Sequence, residues 1–310
     1  MEFTPCNLCG ADDAAPYATL PDLLLGRLEV QTQLVQCRRC QLVYQNPRPT
    51  LAEMGAHYPP EYESYAADPG GEAGNPWLSR VMQYGLNKRA RYVTRHKRRG
   101  HLLDVGCAAG VFLRQMRASG HWQVTGVEVS EYPAQIARER YGLDVRLGTL
   151  EQAAFPTDTF DAITLWDVLE HLHDPVASLR ELVRILKPDG ILIVRVPNLR
   201  SWDAELFGES WAGLDAPRHL YLFTPDTVRA MLTAAGLQAI EWSGGIGAYP
   251  TFLLSLRFWD RLQPPNAWRS QLIQSLYHPF WRVLTGPVFW LSGLFLRGPL
   301  IVVTARKAGR

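Results

Sequence analysis

Two carboxylates and two glycines define the chemistry this chain can host. The stretch His101-Leu102-Leu103-Asp104-Val105-Gly106-Cys107-Ala108-Ala109-Gly110 carries an apolar run to Asp104 and then a glycine turn ahead of an amphipathic segment. A second run, Val124-Thr125-Gly126-Val127, ends on Glu128. Strand, glycine turn, helix and a second strand closing on an acid make the βαβ frame of a nucleoside site. Glycine lets the backbone approach the ligand, and the terminal acid can accept hydrogen bonds from both ribose hydroxyls. Gly106 and Gly110 are spaced G-x-x-x-G, so the three-glycine dinucleotide fingerprint is missing, and no Gly-Lys-Ser/Thr marks a P-loop. The expected ligand is a nucleoside without pyrophosphate. Asp104 beside the turn would repel phosphate and favours a sulfonium or ammonium group.

Four of the five cysteines form a second constellation. Cys6-Asn7-Leu8-Cys9 and Cys37-Arg38-Arg39-Cys40 are two knuckles, each able to aim two sulfurs at one ion, as in tetrahedral zinc sites. The 27 residues between them exceed the usual gap and leave room for a strand pair or small helix around 23–35. Sulfur at all four positions leaves no open coordination site, so the zinc is expected to be structural. Disulfides would suit a secreted chain. The N-terminus has no basic region followed by an apolar core, and a cytoplasmic location is expected. Cys107 is left over and reads as a small packing residue of the glycine turn, beside the ligand.

The elements that must position these groups follow from periodicity. With 310 residues, 47% hydrophobic and 20% charged, the chain has material for one large domain and a small appendage. A net charge of only +2 gives no global field for nucleic acid. The zinc module is expected over 1–48 and a linker with a basic helix over 49–99, the helix itself over about 76–96. That helix carries or leads into Lys88, Arg89, Arg91, Arg95 and the Lys97-Arg98-Arg99 run, read as a solvated face. Strands are expected near 101–106, 122–128, 143–147, 160–165 and 190–196, with helices near 110–119, 131–141, 174–186 and 225–235. Strands at 237–242 and 300–305 complete the core, which spans 100–246 and 299–310. This alternation predicts an α/β, Rossmann-like, doubly wound, mostly parallel sheet. Residues 247–298 form an insert before the last strand, rich in Trp, Leu and spaced Arg, and are expected to give two or three amphipathic helices. The apolar run at 283–296 is too short and too broken by Gly286, Pro287 and Gly293 to span a membrane.

The chain resembles the class I S-adenosylmethionine-dependent methyltransferases in four ordered blocks. These are Asp104–Gly110, then Glu128, then Phe160-Asp161 with Leu169-Glu170-His171, and Leu186-Lys187-Pro188-Asp189-Gly190. The resemblance covers about 100–245 and the last ten residues. It implies a seven-stranded sheet whose last strand inserts antiparallel beside the sixth, and S-adenosylmethionine as cofactor. Its site would ring the carboxyl ends of the strands: Asp104, Gly106, Cys107 and Gly110, Glu128 with Val129, Thr149 and Leu150 beside the adenine, and Trp166 with Asp167. Asp167-Val168-Leu169-Glu170-His171 also resembles the acid-x-x-Glu-His run of ubiquinone-pathway O-methyltransferases, associated there with a divalent ion; a structural pair at a helix start is the preferred reading. The double knuckle ahead of such a core resembles zinc-bearing methyltransferases of sugar and polysaccharide pathways.

Methyl transfer from a sulfonium is an in-line displacement, so alignment is the main task, and an oxygen or carbon acceptor also needs a base. His219, inside Trp211-Ala212-Gly213-Leu214-Asp215-Ala216-Pro217-Arg218-His219-Leu220-Tyr221, is the candidate. The expected acceptor is a small molecule, sugar, glycan or lipid-linked compound. An RNA base methyltransferase and a non-catalytic cofactor-binding subunit are the alternatives. Nucleic acid is disfavoured by the near-neutral charge and by Leu165-Trp166-Asp167-Val168 after the fourth strand. The 247–298 insert is read as packing on the core or a second subunit of a homodimer, or as peripheral contact with the inner membrane face.

Overall fold

The computed structural model describes residues 1–58, 76–244 and 248–309; most of the expected linker, with Pro59-Pro60 and Asp68-Pro69-Gly70-Gly71, lies outside them. The chain opens with a hairpin, β1 (Ala14–Asp22) and β2 (Arg27–Cys37), a short β3 (Val43–Gln45), and the helices α1 (Leu51–Met54) and α2 (Pro76–Thr94). The alternating core follows: β4 (Gly100–Val105), α3 (Val111–Ala118), β5 (Trp122–Glu128), α4 (Glu131–Glu139), β6 (Asp144–Leu147), β7 (Phe160–Trp166), α5 (Pro175–Ile185) and β8 (Leu186–Pro197). Next come α6 (Trp202–Phe207), β9 (Tyr221–Leu222), α7 (Pro225–Ala234) and β10 (Leu237–Gly244). Three helices, α8 (Ala248–Arg261), α9 (Ala267–Ser275) and α10 (Pro279–Leu294), precede the final strand β11 (Leu300–Lys307).

Seven strands form one sheet in the order β10-β11-β8-β7-β4-β5-β6. Pairs from β6 to β8 are parallel, and β11 runs antiparallel between β8 and β10. The period of two sorts the core onto two faces. Ile191 and Ile193 pack with Leu102, Val124 and the α2–α3 side, while Leu192 and Val194 pack with Leu103, Val105 and the α5–α7 side. From β4 the chain works outward through β5 to β6, then returns to the other side of β4 as β7. That reversal opens the crevice in which ligands of such sheets bind.

The N-terminal module is not closed on itself. Its hairpin and β3 make a second sheet, completed by β9 from the loop between β8 and α7, with Val43 opposite Leu222 and Tyr44 opposite Tyr221. The first cysteine knuckle sits on the start of α5: Asn7 Nδ2 donates to Asp174 Oδ1, and the Val176 N–H donates to Asn7 Oδ1. Arg48 donates to the His173 carbonyl and to the Tyr221 hydroxyl. The strongest tie is Arg218, whose guanidinium grips Asp22 at 2.7 and 3.1 Å and Asp215 at 2.7 and 3.0 Å. The Arg218 and Asp22 side chains are both wholly buried.

Truncating one partner of a buried ion pair leaves a charge without compensation, at a cost of about 3–5 kcal/mol. Arg218→Ala is therefore expected to lower urea-unfolding stability by that order, and Arg200→Ala, whose partner Asp226 is exposed, by less than about 1 kcal/mol.

Candidate active site

A cavity of about 950 Å³ lies at the carboxyl ends of β4, β5 and β7. Its floor is the glycine turn. Gly106 has φ +66°, and a Cβ there would meet Val168 Cγ2 at 2.6 Å, so only glycine fits. The Glu128 carboxylate points into the cavity and is oriented by the backbone N–H groups of Ala108 and Ser130, both at 2.9 Å. Burial nonetheless holds its pKa above the ordinary value. Asp104 Oδ1 accepts from the Thr164 hydroxyl at 2.6 Å. Burial, reinforced by the nearby Glu128 charge, pushes Asp104 up to about 7. Two desolvated carboxylates in one cavity make a site that a cation would stabilise.

Asp104, Gly106, Cys107, Glu128, Val129, Thr149, Leu150, Trp166, Asp167 and His219 all line this cavity. Gly110 does not. Its φ is +75°, and a Cβ would lie 2.4 Å from Leu143 Cδ1, so it serves helix packing behind the turn. Cys107 is buried, and a Cβ on Gly126 would lie 2.5 Å from its sulfur, so the cysteine fills space against β5. Val129 sits at the mouth, largely exposed. Asp167 follows β7 with φ +60°. Burial would raise its carboxyl, but the Arg195 guanidinium, bonded to both its oxygens, holds it below the usual value.

Arg89 of α2 reaches the same cavity, with its guanidinium 5.4 Å from the centre of the Trp166 ring. Burial lowers its pKa to about 10, so it remains a cation at neutral pH. It was expected on a solvated face. The signal that separates it from its basic neighbours is position: Arg89 shares a helical face with Leu86, Ala90 and Val93, which pack on the core.

Three titratable groups have ligating atoms within 4.8 Å of one another: His171 and His219, which line the far wall, and the buried Glu170 behind them. Asp167, the first acid of that run, is absent from the cluster because Arg195 claims it. His219 Nδ1 is 2.8 Å from the Gly213 carbonyl, which makes that nitrogen the N–H donor and leaves Nε2 as an acceptor. Nε2 is 4.0 Å from Glu170 Oε1 and 3.9 Å from Asp215 Oδ2. Burial lowers both histidines, His171 to about 4, and keeps the rings neutral. Burial beside the Asp167 charge drives Glu170 well above its ordinary value, toward the protonated acid. His171 Nδ1 lies 2.9 Å from both the Arg218 carbonyl and the Tyr58 hydroxyl.

The four cysteine sulfurs also lie within 4.8 Å of one another, with Cys6 to Cys40 at 3.4 Å and Cys9 to Cys37 at 3.6 Å. Those separations are far beyond the ~2.05 Å of a disulfide. They approach the roughly 3.8 Å between ligands of a tetrahedron with metal–sulfur bonds of about 2.3 Å.

A family model described as a methyltransferase domain matches residues 78–241. The chain belongs to the class I S-adenosylmethionine-dependent methyltransferases. A ubiquinone biosynthesis O-methyltransferase of Xanthomonas oryzae pv. oryzae is 33% identical over 156 residues, covering 46% of this chain and 64% of the relative. One of Actinobacillus pleuropneumoniae serotype 5b is 36% identical over 107 residues, 31% of this chain and 45% of the relative. The methyltransferase thus spans between about half and two thirds of those relatives. A putative sarcosine dimethylglycine methyltransferase from Galdieria sulphuraria shares the fold, with a TM-score of 0.50 at 15% identity over 74% of this chain and 86% of the other.

Because Gly110 packs outside the cavity, Gly110→Ala is expected to lower unfolding stability by roughly 1–3 kcal/mol. Cofactor affinity of the folded fraction, measured by calorimetry, should stay within about twofold, since the lost energy is local packing and strain.

Proposed function

We propose that this methyltransferase acts on a hydroxyl oxygen of a small-molecule, sugar or lipid-linked acceptor, with His219 as general base. The observation that carries this reading is the His219 ring: its Nδ1–H is committed to the Gly213 carbonyl, and Nε2 is a neutral acceptor at the cavity wall. The relatives' names, both O-methyltransferases, point the same way.

S-adenosylmethionine, when bound, supplies an electrophilic methyl group on a sulfonium. Glu128 would hold the ribose hydroxyls, with its backbone-fixed oxygens already aimed. Leu150 and Thr149 would border the adenine, with Val129 at the rim. Asp104 answers the positive end of the methionine portion, and Arg89 its carboxylate. The acceptor hydroxyl would give its proton to His219 Nε2 as its oxygen forms the bond to the methyl group and the sulfonium S–CH3 bond breaks, the sulfur leaving as a neutral thioether. The protonated imidazole would then be stabilised by the Asp215 carboxylate on its flank, which Arg218 holds ionised. Against RNA, part of the basic run is engaged within the protein: Arg95 and His96 pair with Glu241, Lys97 pairs with Asp189, and Arg89 lines the cavity.

A structural zinc at Cys6, Cys9, Cys37 and Cys40 belongs to the same proposal. It would hold the two knuckles and hence the module against α5.

His219→Ala should lower kcat by at least about 100-fold while leaving S-adenosylmethionine affinity nearly unchanged; equal turnover would remove His219 as base. Because burial keeps its pKa below 6.5, wild-type turnover should be flat near neutrality and fall only as acid protonates the ring. Glu128→Ala and Asp104→Ala should abolish cofactor binding in calorimetry, and Arg89→Ala should weaken it about tenfold, the scale of one charge-assisted contact. Metal analysis should return about one zinc per chain, and a folded metal-free protein would refute the zinc assignment.

A further inference from the structure

The helical insert leaves β10 and returns through β11 at the carboxyl ends of the parallel strands, the edge on which the cavity opens. It is fastened there. Asn198, at the end of β8, donates through Nδ2 to the Leu296 and Gly298 carbonyls, and the Ala212 N–H of the His219 loop donates to Ser255 Oγ of α8. One face of α10 is used for this anchoring: Phe289 packs edge-on against Tyr249 and Phe252, and Ser292 is buried.

The opposite face is equally apolar and faces water. Phe280, Leu284, Val288, Leu291 and Phe295 recur at helical spacing, between 43% and 66% exposed, with Val283 beside them at 73%. Trp268 and Trp290 stand exposed at 72% and 66%, and Tyr277 at 47%. A helix apolar all round is ordinarily covered on all sides. Charge identifies what covers this one. From Arg261 to Leu300 the sequence has four arginines and no Asp or Glu. Two of them are neutralised internally, Arg269 by Asp260 and Arg297 by Glu205. Arg261 is spent on the Leu23 and Leu24 carbonyls of the N-terminal hairpin, while Arg282 and the preceding Arg257 have no carboxylate partner among the described residues. No described helix is long and apolar enough to cross a membrane, and the 16 residues of α10 reach only about 24 Å against a hydrocarbon core of about 30 Å.

We propose that α9 and α10 form a docking face for an anionic lipid bilayer, with the apolar stripe of α10 lying in the plane of the interface. Trp268, Trp290 and Tyr277 sit at headgroup depth and the unpaired arginines meet lipid phosphate. A second copy of the chain would satisfy the apolar stripe but would bring the unpaired arginines of two insert regions together. The bilayer satisfies both. This face is independent of which acceptor is methylated, and its test needs no turnover.

The test is flotation of the full chain with vesicles of phosphatidylcholine alone or with one third phosphatidylglycerol. Binding to the anionic vesicles at least tenfold above the neutral ones, weakened by 0.5 M salt, is expected, together with a blue shift of tryptophan emission. Val283→Ser with Leu291→Ser, both exposed positions, should reduce flotation at least tenfold while circular dichroism and S-adenosylmethionine affinity stay unchanged. Should that pair fail to fold, quenching of wild-type tryptophan emission by brominated acyl chains decides, since the tryptophans of an undocked protein do not reach the acyl chains. Absence of both flotation and quenching overturns the proposal, as does a dimer in light scattering that dissociates on the same substitutions without any vesicle binding.

Discussion

One buried cation, the Arg218 guanidinium, sets the geometry of the acceptor side. It faces Asp22 from the N-terminal hairpin and Asp215 from its own loop, so a single positive charge serves two carboxylates out of water. Planar, forked donors accept little angular error, which fixes the loop relative to the hairpin more rigidly than apolar contact alone would. The next residue is His219, and the carbonyl that sets its tautomer belongs to Gly213, within the same loop. The cysteine module therefore bears on the active site through mechanics. The knuckles seat on α5, the hairpin they anchor presents Asp22, and Asp22 locates the loop that carries the histidine.

The cavity itself is electrostatically unfinished. Asp104 and Glu128 are both desolvated and both raised, and the cations near them, Arg89 and Arg195, are partly spent on Trp166 and Asp167. A site that must bury charge keeps its groups ionised only if partners arrive. In the proposed binding mode, a ligand bearing a sulfonium, an ammonium and a carboxylate would bring a partner for each sign: positive charge against Asp104 and negative charge against Arg89. Binding then relieves the protein's own desolvation, which favours a zwitterionic sulfonium over an uncharged nucleoside of equal size.

Much of the fold was legible in the sequence because its signals are local. The alternation from Gly100 to Pro197, the glycine turn and the acid ending β5 each occupy a few consecutive residues, and the strands fall where the apolar runs placed them. What escaped reading is non-local. Tyr221 and Leu222 are two residues long, too short to show a period, and become a strand only because β3 offers them an edge. Asp22 and Arg218 meet across 196 positions. Arg89 was one of several arginines in a basic run, and its inward role rests on helical phase against Leu86 and Val93, a weaker cue than its charge. Gly110, whose motif position suggested ligand contact, is placed outside the residues lining the cavity, where its missing Cβ makes room for Leu143.

The two halves of the site accordingly have different sequence logic. The donor half is assembled from turns within β4, β5 and the segments just after them, so a short motif suffices to build it. The proposed acceptor half gathers Tyr58, His171 and His219 from three distant segments, held by Asp22, Asn198 and Ser255 from three more. Substitution in any of these parts moves the wall facing the acceptor without touching the cofactor turn. That separation lets one donor scaffold serve different acceptors.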